Sequence, residues 1–221
     1  MPTLLVTGAN RGLGLEFASQ YSADGWTVIG TAREPDKATE LGALDNCATM
    51  QLDVADADSV DSFMNALGDR PLDLFISNAG TYGSREVDRG DWRKTLEVNT
   101  IAPTMLALRL KPNVMASERK KMAVLTSKMG SMTDNGSGGA IIYRSSKAAV
   151  NAAWKSLAID FEDDGIAVVM LHPGWVQTDM GGPNALIDTK TSVSGMREVI
   201  GDLDLNSSGR FLAYDSAEIG W

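Results

Sequence analysis

The sequence of 221 residues holds one cysteine, Cys47, and one histidine, His172. A single thiol closes no internal disulfide, which suits a reducing compartment, and cytoplasm is the expected location. Cations are scarce: 20 Lys and Arg stand against 29 Asp and Glu, a formal net charge of −9. Phosphate backbones need clustered basic residues, so nucleic acid is not an expected partner, and an anionic membrane surface is disfavoured too. No apolar run reaches the roughly 18 residues that span a bilayer. The opening MPTLLVTGAN has no charged n-region, long apolar core or small-residue cleavage pattern of the kind that marks a secretory signal. No low-complexity segment, solenoid-period repeat or linker divides the chain, so residues 1–221 read as one domain. No metal site is expected.

What is present is patterned. Hydrophobic residues make up 43% and charged residues 22%, the balance of an ordinary globular chain. Apolar runs at 3–7 (TLLVT), 26–32 (WTVIGTA), 48–54 (ATMQLDV), 72–80 (LDLFISNAG), 121–127 (KMAVLTS), 166–174 (IAVVMLHPG) and 209–215 (GRFLAYD) read as strands. Helical segments are expected at 12–24, 56–67, 88–117 with a kink at Pro103, and 140–163. This alternation predicts an α/β fold: a doubly wound Rossmann-type domain, with a parallel sheet of about seven strands and helices on both faces. Ligands of such sheets bind outside the carboxyl ends of the strands.

The first of those strand ends carries TGANRGLG (7–14). Gly8, Gly12 and Gly14 permit a tight turn and a close approach of backbone to a pyrophosphate, and the following helix aims its N-terminal amides at that anion. The spacing is G-x-x-x-G-x-G rather than G-x-G-x-x-G. Further along, Tyr143 and Lys147 lie four residues apart in IIYRSSKAAVNAAWKS (141–156), on one helix face. A nearby ammonium favours a phenolate, so the pair could move a proton.

These pieces, with LDV (52–54), SNAG (77–80), EVNT (97–100), LTS (125–127) and HPGWVQTDM (172–180), resemble the short-chain dehydrogenase/reductases in content and order. The stretch TSKMGSMTDNGSGGAIIYRSSKAA followed by HPGWVQTDMGG resembles the small carbonyl reductases of the sniffer and C-factor branch. The resemblance implies an oxidoreductase that transfers hydride between a nicotinamide cofactor and a carbonyl or alcohol. Tyr143 would be the proton donor, Lys147 would lower its pKa and bind the nicotinamide ribose, Ser127 would steady the substrate oxygen, and the backbone of Asn99 would hold a relay water. Gly8, Asn10, Arg11, Gly12, Leu13, Gly14, Arg33, Asp53, Val54, Asn78, Ala79, Gly80, Pro173, Gly174, Val176 and Thr178 would bind the cofactor with Tyr143 and Lys147. His172 is read as part of a strand-end loop, not as a catalyst.

Two points stay open at this level. The family's serine commonly lies about thirteen residues before the tyrosine; that position is Gly130, Ser127 is sixteen before, and Ser131 is the rival. The family's acidic cofactor-discriminating position falls on Ala32, and Arg33 beside it suits a 2′-phosphate, so NADP(H) is preferred and NAD(H) remains possible through Glu34. Reduction of a small-molecule carbonyl is the expected direction; a non-enzymatic NADP(H)-binding sensor and an NAD-dependent alcohol dehydrogenase are the rivals. Residues 179–208 are expected to form a substrate-side lobe, with Met180, Leu186, Ile187 and Met196, and with Met129 and Met132 near the site. The wide apolar face of 148–161 suits a homodimer or homotetramer.

Overall fold

A computed structural model describes every residue except Arg85. Seven strands, β1 (Thr3–Val6), β2 (Thr27–Ala32), β3 (Cys47–Gln51), β4 (Leu74–Ser77), β5 (Lys121–Leu125), β6 (Ala167–His172) and β7 (Arg210–Ala213), form one sheet in the order β3-β2-β1-β4-β5-β6-β7. Every pairing between them is parallel. The strand order reverses between β1 and β4, and a crevice opens there at the carboxyl ends.

Helices cover both faces. In β1 the side chains alternate: Leu4 and Val6 join Phe17 and Tyr21 of α1 (Gly12–Ala23) and Met196 and Ile200 of α7 (Thr189–Asp202). Leu5 points the other way, into a core with Phe63 of α3 (Ala57–Leu67), Leu106 and Leu110 of α5 (Ala102–Met115), and Trp154 of α6 (Ile141–Asp160). Both strand faces are therefore dry, which is why β1, β4 and β6 read as unbroken apolar runs. Helix α3 starts where its sequence says: Asp56 is the N-cap and accepts from the Asp58 amide.

Three parts of the chain differ from the expectation. A 3-10 turn (Pro35–Lys37) and a short helix α2 (Thr39–Gly42) follow β2. The long helix at 88–117 is instead α4 (Arg89–Leu96), a π turn (Glu97–Ile101) and α5, so the interruption comes before Pro103 rather than at it. Pro103 has no N–H to give the Asn99 carbonyl, the partner an α-helix would assign it, and a π turn is one way to absorb that loss. Residues 189–202 form α7, whose Met196 is fully buried in the sheet core.

Candidate active site

The crevice is a cleft of about 600 Å³, within the range of small-molecule and cofactor sites. Its floor is the glycine loop. Gly8 (φ 66°) and Gly12 (φ 56°) adopt the left-handed region that side chains avoid. A Cβ on Gly14 would collide with the Gly8 carbonyl oxygen and lie 2.6 Å from Asn78 Nδ2, so Gly14 lets α1 press onto β1. The first turn of α1 carries no acidic residue and no side-chain cap, which leaves its amides and positive end for an anion. The loop is held from beside by Asn78, whose Nδ2 donates to the carbonyls of Thr7 (2.8 Å) and Gly8 (3.1 Å). The buried Thr7 hydroxyl in turn accepts from the Asn78 and Ala79 amides. This cradle fits a dinucleotide pyrophosphate.

Of the residues expected to bind cofactor, Gly8, Asn10, Arg11, Gly12, Leu13, Arg33, Asp53, Val54, Asn78, Ala79, Gly80, Tyr143, Lys147, Pro173 and Thr178 line the cleft. Gly14, Gly174 and Val176 do not; they pack behind it. A Cβ on Gly174 (φ 85°) would lie 2.8 Å from Ile187 and 3.1 Å from Tyr214, and Val176 is buried and bridges to Ile187. Ala32 and Arg33 face the cleft, whereas Glu34 is exposed and paired with Lys37. Sequence reasoning missed Thr81, Lys94, Val98 and Gln177 as lining residues; their positions depend on how α4 and the β6–α7 loop fold over the crevice, and no local pattern marks them. Of the apolar residues considered for a substrate pocket, Met180 lines the cleft, Met196 is core, and Leu186 and Met132 are 78% and 75% exposed.

Tyr143 and Lys147 are both buried on the first turns of α6. Lys147 Nζ donates to the Leu125 carbonyl at 2.9 Å and sits 5.8 Å from the centre of the Tyr143 ring. Burial pushes the Lys147 pKa down to about 8 and pushes the Tyr143 phenol up to about 12, with the Ser127 hydroxyl opposing that rise. Burial is the largest influence on both groups. Desolvation disfavours both charged forms.

The serine question has a structural answer. Ser127 ends the β5 loop, interacts with the Tyr143 phenol and accepts from the Met129 amide. Ser131 is turned away: its hydroxyl donates to the Gly220 carbonyl at 2.5 Å and accepts from the Asp134 amide. At Gly130, a Cβ would come within 2.7 Å of the Lys147 carbonyl carbon, so this place is too tight for a serine. Asn99 is 1% exposed and its amide is spent: Oδ1 accepts from the Thr81 amide (2.8 Å), and Nδ2 donates to the Thr81 carbonyl (2.8 Å) and Ser146 Oγ (3.0 Å). His172 does not line the cleft, and burial lowers its pKa to about 4, so it carries no charge at neutral pH.

Comparison with known proteins agrees with this geometry. A family model described as short chain dehydrogenase matches residues 2–186. The chain is 41% identical over 155 residues to C-signal of Myxococcus xanthus, covering 68% of this chain and 93% of that protein. The carbonyl reductase Sniffer of D. melanogaster superposes with a TM-score of 0.89 at 32% identity over the full length of both chains. An NADPH-bound carbonyl reductase from chicken fatty liver superposes with a TM-score of 0.92 at 31% identity, covering 100% of this chain and 99% of that one.

Proposed function

The chain belongs to the short-chain dehydrogenase family, and on that premise we propose that this oxidoreductase reduces a small carbonyl compound with NADPH. The observation that carries the reading is the buried Tyr143 phenol, which stays protonated at neutral pH and lines the cleft together with Lys147. A protonated phenol is the donor that reduction needs. Bound nicotinamide would supply the hydride. Tyr143 Oη would then give its proton to the substrate oxygen, with the Ser127 hydroxyl steadying the charge that develops there. Lys147 would hydrogen-bond the ribose. The Asn99 side chain braces the Thr81 loop, so any role in a proton relay would fall to its backbone.

Preference for NADPH over NADH is supported by Ala32 and Arg33 in the cleft, where a 2′-phosphate would meet a guanidinium and no carboxylate. NADPH-bound relatives of the same fold support it too. Met180 and the rest of 179–188 would close the substrate side, with α7 as its support. The test is NADPH consumption over aldehydes, ketones and quinones, run beside Tyr143→Phe, with NADPH and NADH compared in Arg33→Ala. Turnover lost in Tyr143→Phe and an NADPH preference lowered about tenfold or more in Arg33→Ala are expected. No turnover of any carbonyl despite cofactor binding would move the reading to a non-enzymatic cofactor-binding sensor or signalling protein.

A further inference from the structure

Tyr143 is not the only phenol at this site. The ring of Tyr82 stacks on it, with centroids 4.6 Å apart and planes 24° apart. Offset stacking at this distance is a favourable aromatic geometry. Tyr82 itself does not line the cleft, whereas its neighbour Thr81 and its partner Tyr143 do. It therefore reaches the chemistry through Tyr143.

The loop that carries Tyr82 is anchored on either side of it. Before it, Thr81 is clamped through both its amide and its carbonyl by the Asn99 side chain of the π turn. After it, Gly83 (φ 74°) is wedged between α4 and α6: a Cβ there would lie 2.6 Å from Thr95 Oγ1, 3.1 Å from Asp91 Oδ2 and 3.2 Å from Ile142 Cγ2. The Ser84 amide then donates to Asp91 Oδ2 at 2.5 Å. Helix α4 is tied to α6 in turn by Trp92 Nε1, which donates to Ser145 Oγ at 2.9 Å. The frame that sets Tyr82 is thus built on the helix that carries Tyr143.

We propose that Tyr82 is a positioning residue for the reacting tyrosine, its ring fixing the plane of Tyr143 and shielding the phenol from water so that it stays a proton donor. This rests on the reading of Tyr143 as that donor. Titratable groups on Tyr143's own helix are Arg144, Lys147, Lys155 and Asp160; those on elements packed against α6 are Arg89, Asp91, Arg93 and Lys94 of α4, Glu97, Lys128 and His172, with the α5 cations Arg109 and Lys111 paired with Asp61 and Asp164. After burial, which raises the Tyr143 pKa most, and Ser127, which lowers it, the Tyr82 phenol raises it further.

The chain has four tyrosines, so ¹³Cζ-tyrosine labelling gives four resonances, with that of Tyr143 assigned by its loss in Tyr143→Phe. In the wild type less than about a tenth of Tyr143 is expected to ionise at pH 11; in Tyr82→Leu at least about half is expected to, a shift of about one unit. Tyr82→Phe keeps the ring and should stay near the wild type. In carbonyl reduction, kcat should fall about tenfold in Tyr82→Leu and less than about threefold in Tyr82→Phe, with cofactor KM unchanged and the alkaline limb moved to lower pH. If Tyr82→Leu does not fold, Gly83→Ala, which lifts the same loop with its tyrosine intact, should give the same shift. A Tyr143 resonance that titrates as in the wild type in the folded variant overturns the proposal. The resonance is read without turnover, so a wild type that reduces no carbonyl overturns the assigned reaction and leaves this test standing.

Discussion

Replacing Lys147 with Met should flatten a pH dependence of stability that the wild type shows above neutrality. The ammonium is buried, and its pKa falls from 10.5 to about 8. The folded pKa lies below the unfolded one, so between about pH 8 and 10.5 the unfolded chain binds more protons than the native chain, and stability rises with pH across that window. Below pH 8 the full penalty stands. At about 1.4 kcal/mol per unit it amounts to about 3 kcal/mol, and about 2 kcal/mol of it is recovered between pH 7 and 9.5. Other groups titrate near this range. The Cys47 thiol is raised by burial, and Tyr21 and Tyr143 are raised to about 12, which lowers stability toward high pH; Lys121 is lowered by burial, with the opposite sign. His172, lowered to about 4, has finished titrating by pH 7. All of these remain in Lys147→Met, so the difference between the two proteins isolates the lysine. Urea denaturation of both at pH 7 and 9.5 measures it. The wild type should gain about 2 kcal/mol relative to Lys147→Met between the two pH values. Parallel pH dependences would refute the claim that Lys147 is desolvated in the native state.

Two further substitutions probe the frame of the cleft. Gly14→Ala places a Cβ against the Gly8 carbonyl and 2.6 Å from Asn78 Nδ2, so α1 must lift from β1; a stability loss of about 1–3 kcal/mol and weaker NADPH binding by fluorescence titration are expected, and unchanged affinity would mean that the loop does not hold the pyrophosphate. Asn99→Ala strands the Thr81 amide and carbonyl, and a loss of about 2–4 kcal/mol is expected in urea denaturation, with faster hydrogen exchange at the Thr81 amide; unchanged exchange would show that Asn99 does not hold that loop.

Most of the sheet was legible because its inner strands are buried on both faces and read as continuous apolar runs, and because Gly8, Asn78 and Gly174 mark strand ends at the crevice. The four-residue spacing placed Tyr143 and Lys147 on one helix face, and the accompanying motifs, not the spacing, gave the pair its expected role. The π turn was not legible: its trace is a proline four residues after Asn99, and helix periodicity treats that proline as a kink at its own position rather than as a change of winding one turn earlier. Met196 could be either pocket or core in the sequence, because an apolar residue in an expected substrate lobe has the same signature as one under a helix that covers the sheet. Tyr82 had no sequence signature, since a stack between a loop and a helix 61 positions apart follows only from where Asn99 and Gly83 fasten the loop.

The serine shows most plainly where counting along the chain fails. A fixed spacing between serine and tyrosine assumes a fixed loop, yet what the site constrains is the two ends of that loop, the end of β5 and the start of α6. Between them the chain runs through a 3-10 turn at Lys128–Gly130, a segment fastened by Ser131 and Thr133 to the carbonyls of Gly220 and Trp221, and three successive residues of positive φ, Gly138, Gly139 and Ala140. The extra residues are taken up on the side of the loop away from the cleft. The place where the count puts a serine is held by Gly130, pressed against the α6 backbone at Lys147. A hydroxyl there would push α6, and with it the lysine, out of the site. Ser127 needs no such room, because the end of β5 already places it beside the phenol.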